Sequence, residues 1–263
     1  MEILNLFNPD EFKVYLLVLA RISVVLFMIP IFSTTMFPAL AKAGLAMIMS
    51  MLLYSVVGID SSFFPDTAIE TGLLLVSEAM IGLLLGLCIR LFFGSVQLAG
   101  QVIGFQMGFS MINVVDPQSG ANISIMEELG YWVAILVFLA LNGHHIIIVS
   151  LIESFTLIKP GFFIFQKVML VKILELGSIL FLFSIKIGAP VIAALLFTSA
   201  AFGLTAKFSP QMNVMIVAFP LKIFVGLLLF GFSLQVVAVV TKDYIIDLKK
   251  LLLSLLFWAG GGG

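Results

Sequence analysis

Long apolar runs are the feature that most constrains how this chain can fold. Several contain about 20 residues or more, the length that a helix needs to cross a hydrocarbon core about 30 Å thick. They lack the apolar/polar alternation of barrel strands, and a backbone in lipid must satisfy its own hydrogen bonds, so the runs predict helices. Six are predicted to be conventional spans, and two more apolar segments are expected to span, re-enter or lie on a surface. The six cover 14–32, 39–58, 69–93, 131–152, 168–201 and 214–240, and the other two cover 95–112 and 244–258.

The composition is typical of a chain that is covered by lipid or by other proteins. Of its residues, 62% are hydrophobic and 10% are charged, whereas an ordinary soluble domain is about a quarter charged. The net charge of -1 gives no reason to expect binding to nucleic acid. Because the connections are short, residues 1–259 are predicted to form a single all-α polytopic membrane domain. Gly260–Gly263 is expected to be a glycine tail added to that domain.

Four ionisable residues lie in or near the predicted spans, namely Arg21, Glu78, Arg90 and Lys186. At a helix centre each costs about 2.5 to 3.5 kcal/mol on insertion scales. Arg90 lies near the end of its apolar run, so its side chain is expected to reach the interface. Glu78 lies in the middle of its apolar run. Its carboxylate is predicted either to pair with Arg21 or Arg90, or to face a partner or relay protons. The pairing is favoured, because charges inside membranes mostly have a partner.

Glycines recur every four residues at Gly100, Gly104 and Gly108, and a shorter case is Gly82 with Gly86. On a helix this spacing makes a smooth stripe that lets another backbone approach closely. The stripes predict tight helix packing.

The longer glycine stripe leads into a segment, 109–124, that begins apolar and ends polar. Asp116-Pro117 stops any helix there, because proline lacks an N–H and disfavours helical geometry in the residue before it. Phe109, Met111 and the neighbouring aliphatic residues are unusual in a solvated loop. On the residues alone, the segment is either an apolar loop that closes a pore or a buried connection, and the second is slightly favoured.

No catalytic, cofactor or metal site is predicted. Adjacent residues on a helix point about 100° apart, so His144 and His145 cannot chelate a metal as an i, i+4 pair can. An interhelical hydrogen bond from Asn142 and one histidine is favoured instead. Cys88 is the only cysteine, which excludes an internal disulfide. The sequence contains no glycine-rich phosphate-binding loop.

Six sequence elements occur in an order that is typical of one known family. They are Arg21 with Pro30, the segment Pro38–Gly44, the glycine stripe with Asp116-Pro117-Gln118, and the segments 138–145, 209–213 and 219–222. Together they cover nearly the whole chain and resemble the FliR family of flagellar export proteins. Related injectisome subunits are of the SpaR/YscT type, and we expect the flagellar branch.

The resemblance implies a fold and a set of partners. A FliR-like protein is expected to join a FliP-like part to a FliQ-like part, with helical hairpins stacked in a spiral. One copy would form the export gate with FliP and FliQ homologues in the bacterial inner membrane, at the flagellar basal body. FlhB and FlhA homologues, export substrates and lipid are the other expected partners. Unfolded substrates would pass a central pore, and the chain itself would catalyse nothing.

The resemblance also assigns roles to residues and shifts the balance toward a pore plug. Apolar plug residues would seal the closed pore because dewetted constrictions resist permeation. The predicted plug comprises Gln106, Met107, Phe109, Ser110, Met111, Ile112, Asn113, Val114, Val115, Asp116 and Pro117. The residues predicted to be polar within the membrane are Arg21, Glu78, Arg90, Asn142, His144 and Lys222.

Two other functions stay open on the sequence. A small-molecule or ion transporter is suggested by Glu78 and by the segments that proline and glycine interrupt. It would need an internal repeat, and none is evident. A membrane enzyme would have to use His144 and His145, for which no substrate suggests itself.

Overall fold

The computed structural model describes residues 9–33, 38–58, 67–109, 124–209, 211 and 213–261. Every regular element in these ranges is a helix, and eight are found there. They are α1 (Pro9–Met28), α2 (Pro30–Ser33), α3 (Ala39–Val57), α4 (Ala68–Met107), α5 (Ile125–Ala140), α6 (Gly143–Leu157), α7 (Lys167–Phe208) and α8 (Val214–Ala259).

The helix α4 joins two segments that were predicted separately, 69–93 and 95–112. It continues through Gly94, since a single glycine costs a helix only about 1 kcal/mol and packing can offset that. The helix ends at Met107 rather than at residue 112. Gly108 follows with a φ of 91°, and the amides of Gly108 and Phe109 donate to the carbonyls of Phe105 and Gly104, both at 3.0 Å. This pair of hydrogen bonds is a Schellman motif, which ends a helix at a left-handed glycine.

The last helix also joins two predicted segments, 214–240 and 244–258. The charged residues between them continue the helix α8, which has 46 residues and contains Pro220. Helix α7 is similarly long, with 42 residues and Pro190 inside it. Runs predicted as separate membrane segments are therefore parts of single long helices.

The predicted span 131–152 is not a single helix. The chain forms α5 and α6, which are bent by 66° at a short break. Asn142 lies at this break with a φ of 58°, a left-handed conformation that asparagine tolerates better than most side chains.

Four helices in the described ranges are long and apolar enough to cross a membrane, or five if the bent pair α5–α6 counts as one span. This number is lower than the six conventional spans predicted. Helix α1 is not among them, and its 20 residues include the charged side chains Asp10, Glu11, Lys13 and Arg21. The prediction of an all-α polytopic membrane protein is confirmed.

The chain divides into two compact units. The first unit comprises Met1–Leu91, Asn142–Gly177 and Ile246–Gly263, and within it α3 packs against α1 and α6. The second unit comprises Phe92–Leu141 and Ser178–Ile245. Its core includes a cluster of buried side chains from α4, α5, α7 and α8, which are Ile103, Met107, Met126, Val191, Leu195 and Phe230.

Candidate functional site

In the second unit, the glycine face of α4, defined by Gly100, Gly104 and Gly108, borders the predicted plug. The start of α5 lies against it: a Cβ atom at Gly100 would be 2.6 Å from the amide nitrogen of Glu127 and 2.7 Å from the carbonyl oxygen of Met126. At Gly104 the same atom would overlap the hydroxyl of Ser124. Only glycine lets the two backbones come this close.

The third glycine of this face lies against α8. A Cβ atom at Gly108 would be 2.6 Å from Cε2 of Phe219. Further along α8, a Cβ atom at Gly226 would be 2.6 Å from Cγ of Met107. The C-terminal end of α4 is therefore enclosed by the start of α5 on one face and by α8 on another.

The predicted plug residues fall into two groups. Gln106 and Met107 belong to α4, and Met107 is fully buried in the core of the second unit. Phe109 follows the Schellman turn and packs against the same core. Any plug that continues from α4 therefore starts from a fixed point at Phe109. The remaining predicted positions lie outside the described residues, and they are Ser110, Met111, Ile112, Asn113, Val114, Val115, Asp116 and Pro117.

A buried ion pair in the first unit joins α1 to α4. Nε and Nη2 of Arg21 each lie 2.7 Å from Oε2 of Glu78, and both side chains are fully buried. Of the two predicted partners for Glu78, the structure therefore has Arg21 and not Arg90. Burying two charges is costly, and good hydrogen-bonding geometry is needed to offset that cost.

Other groups from α6 and the turn after it complete this polar cluster, defined as Arg21, Glu78, Ser154, Ile158 and Gly161. Nη1 of Arg21 donates to Oγ of Ser154 at 2.8 Å, and Nη2 donates to the carbonyl oxygen of Ile158 at 3.5 Å. The amide of Gly161 donates to Oε1 of Glu78 at 3.3 Å. The guanidinium also lies 3.9 Å above the ring of Phe155. Both charged groups therefore have several partners.

The shorter glycine pair lets α4 approach α1 beside this cluster. A Cβ atom at Gly82 would lie 2.7 Å from the carbonyl oxygen of Arg21. At Gly86 it would overlap Cβ of Met28. The close approach brings the backbone of Arg21 next to α4, one turn of helix from Glu78.

The other predicted polar residues are dispersed. Arg90 is exposed and lies in the middle of α4 rather than near its end, with Nη1 4.0 Å from Sδ of Met28. Asn142 is exposed at the α5–α6 break. Nδ1 of His144 is buried and has no hydrogen-bond partner among the described residues, so this nitrogen does not make the interhelical bond that was predicted. Lys222 is half-buried near the start of α8.

Sequence reasoning missed several residues that complete these two sites. Ser154, Phe155 and Gly161 contact the ion pair but carry no motif, and they are far from it in the sequence. Ser124 ends the segment 109–124 and Phe219 begins the element 219–222, but neither was predicted to contact the glycine face. In the described ranges, no three His, Cys, Asp or Glu side chains are grouped so that they could hold a metal ion.

Comparison with known proteins identifies the family. The sequence profile described as bacterial export proteins, family 1, matches residues 12–248. The flagellar biosynthetic protein FliR of Bacillus subtilis (strain 168) is 34% identical over 239 residues, which cover 89% of this chain and 91% of the relative. This chain belongs to the FliR family. The predicted resemblance to FliR proteins is confirmed.

Other FliR proteins match over similar lengths. FliR of Escherichia coli (strain K12) is 29% identical over 244 residues, 93% of each chain. FliR of Aquifex aeolicus (strain VF5) is 27% identical over 248 residues, 92% of this chain and 94% of the relative. Membership in the FliR family makes the chain a component of the flagellar export apparatus, and its long apolar helices locate it in a membrane.

Proposed function

We propose that this chain is a core subunit of the flagellar protein export gate, where it forms part of the channel and closes it with the segment that follows α4. Its partners are FliP and FliQ homologues in an assembly with one FliR copy. FlhB and FlhA homologues associate with that gate in the bacterial inner membrane, at the flagellar basal body. Unfolded flagellar substrates are the cargo, and the chain acts by passive gating rather than by catalysis.

Helix length supports a role inside a larger assembly. Helices α4, α7 and α8 have 40, 42 and 46 residues, which correspond to about 60 to 69 Å at 1.5 Å per residue. A hydrocarbon core is only about 30 Å thick. Exposed apolar residues occur near both ends of α7, including Val168, Leu170, Leu204 and Phe208. Lipid cannot cover both ends of such a helix, which supports the proposal that other protein subunits cover part of it.

The observation that carries the gating proposal is that Phe109 and Ser124, the described residues on either side of 110–123, both contact Gly104. The amide of Phe109 donates to the carbonyl of Gly104 at 3.0 Å. On the other side, Ser124 packs where a side chain at Gly104 would otherwise be. Phe109 and Ser124, the described residues on either side of 110–123, therefore lie close to the same point on α4. Two fixed ends suit a loop that closes a passage and still remains attached to the gate when the passage opens.

The plug is tested by replacing Met111–Val115 with a Gly/Ser sequence of the same length. We expect the membrane to become leaky to ions or small solutes while the gate still assembles, because the apolar seal has been removed. A matched control replaces the polar half of the same segment, Gln118–Asn122, in the same way and is expected to leave the membrane tight. Unchanged conductance in the first variant would remove the plug assignment.

The assembly is tested by extracting the tagged chain in mild detergent and measuring the mass and composition of the complex. We expect FliP and FliQ homologues in a fixed ratio to one copy of this chain. Recovery of a stable monomer without partners would contradict the proposal, whatever the outcome of the conductance experiment.

A further inference from the structure

The buried ion pair forms hydrogen bonds with two backbone groups of the turn after α6, one near each end of the turn. The carboxylate of Glu78 accepts the amide of Gly161 at 3.3 Å, and the guanidinium of Arg21 donates to the carbonyl of Ile158 at 3.5 Å. Gly161 has a φ of 82°, which glycine adopts without strain. Arg21 of α1 thus provides a donor for the backbone carbonyl of this turn, and Glu78 of α4 provides an acceptor for its backbone amide.

The residues of the same stretch contact the C-terminal end of α8. The amide of Ile164 donates to the carbonyl of Ala259 at 2.9 Å, and that carbonyl is one of the last four of the helix, which have no partner inside it. A Cβ atom at Gly260 would lie 3.2 Å from Cγ1 of Ile158. One short stretch, 158–164, therefore contacts the ion pair at its start and caps α8 at its end.

We propose that the Arg21–Glu78 ion pair is a positioning device that fixes the 158–164 stretch so that it caps the C-terminal end of α8. The pair lies in the first of the three segments that build the first unit, the 158–164 stretch belongs to the second, and the end of α8 belongs to the third. This role does not depend on the plug or on the partner subunits proposed above.

The geometry of the pair suits positioning better than it suits stabilisation. A fully buried ion pair gains little net stability, because desolvation offsets the attraction between the charges. Such a pair does restrict the arrangement of its neighbours, since every unpaired alternative leaves a charge buried. Ser154 at 2.8 Å and the ring of Phe155 at 3.9 Å fix the plane of the guanidinium. The fixed fork then aims one nitrogen at the carbonyl of Ile158.

A disulfide between positions 158 and 260 reports whether the stretch is docked on α8. Cγ1 of Ile158 is where the sulfur of a cysteine would stand, and it lies 3.2 Å from the Cβ position of residue 260. A second sulfur on that Cβ can therefore reach it to form a bond of about 2.0 Å. The experiment uses the full chain in native membranes, with I158C and G260C in a C88A background that removes the native cysteine. We expect efficient crosslinking with Arg21 and Glu78 intact. E78Q keeps an oxygen that can accept from the Gly161 amide, but its amide nitrogen cannot accept from the guanidinium of Arg21. The rate of crosslinking is expected to fall roughly tenfold, as for the loss of a hydrogen bond to a charged group.

The control variant is E153Q, which removes a carboxylate on α6. Glu153 forms an ion pair with Lys249, and the side chains of Lys249 and Glu153 are 46% and 35% exposed. We expect E153Q to crosslink like the parent. A second variant, R21M/E78L, replaces the buried pair with apolar side chains of similar size, which generally preserves folding. It is expected to accumulate in the membrane and to crosslink as poorly as E78Q. Crosslinking at the parental rate in R21M/E78L or in E78Q would overturn the proposal.

Discussion

The amide nitrogen of Glu127 lies 2.6 Å from the point where a Cβ atom would be placed at Gly100. The obstructing atom belongs to the backbone at the start of α5, so it cannot rotate away as the tip of a side chain could. The carbonyl of Met126 obstructs the same point at 2.7 Å. Among the three glycines of this face, Gly100 is therefore the position where the obstacle to an added methyl group is least able to move.

The first prediction is that Gly100→Ala destabilises the folded chain by about 1–3 kcal/mol or more, because α5 must shift to make room. The measurement is the midpoint of unfolding in detergent, together with the amount of chain in the membrane. Gly231→Ala is the matched control, since in the part of the chain that the structure describes no atom beyond its chain neighbours and its own helix backbone lies within 4 Å of its Cβ position. There alanine is expected to stabilise the helix slightly, by up to about 1 kcal/mol. Equal effects at the two sites would contradict the packing argument.

The second prediction concerns Gly108, where two separate obstacles meet an added side chain. Its φ of 91° disfavours any L-residue, and the ring of Phe219 lies 2.6 Å from the Cβ position. Gly108→Ala should therefore lower the midpoint of unfolding, and adding Phe219→Ala should recover only part of that loss. Thermal unfolding of the single and double variants measures the two contributions. Full recovery in the double variant would mean that the backbone strain is negligible.

The helices could be predicted from the sequence, but their ends could not. Apolar runs reveal helices because lipid requires them. Where a helix ends within or between apolar runs depends on differences in helix propensity of about 1 kcal/mol per residue, and packing can override such differences. Gly94 therefore lies inside α4, although it falls between the predicted segments 69–93 and 95–112. Asn142 interrupts a run that has no proline, because asparagine adopts the left-handed conformation with little strain.

The candidate sites were predicted in part. Charges in apolar runs drew attention to Arg21 and Glu78, but the alternative partner Arg90 could have been excluded. Glu78 and Arg90 were both placed on the predicted span 69–93, and on one helix positions 78 and 90 lie about 18 Å apart along the axis. The contacts with Ser154 and Gly161 could not be predicted, because they depend on how separate helices pack. Periodicity within each helix carries no such information.

The third prediction is that Arg21→Lys destabilises the chain although it keeps the positive charge. A lysine ammonium is a point charge and cannot reproduce the planar fork that binds Glu78, Ser154 and Ile158 together. Loss of a hydrogen bond to a charged group is expected to cost about 1.5–3 kcal/mol. The free energy of unfolding in a denaturing-detergent titration measures this cost.

The control is Lys249→Arg in the exposed pair with Glu153, which should change the free energy of unfolding by less than about 0.5 kcal/mol. If both substitutions are neutral, the fork geometry contributes nothing.

The fourth prediction concerns the break between α5 and α6. Asn142 has a φ of 58° and a ψ of 29°, so Asn142→Gly should be tolerated. Asn142→Val should cost roughly 1–2 kcal/mol, because a left-handed conformation brings Cβ too close to the following carbonyl oxygen. The matched control is Leu141→Val, which introduces the same side chain one residue earlier at a φ of -89°. Unfolding midpoints should therefore place Asn142→Gly near the parent, Leu141→Val slightly below it and Asn142→Val lowest. If Asn142→Val proves as stable as Leu141→Val, the break does not depend on the left-handed residue.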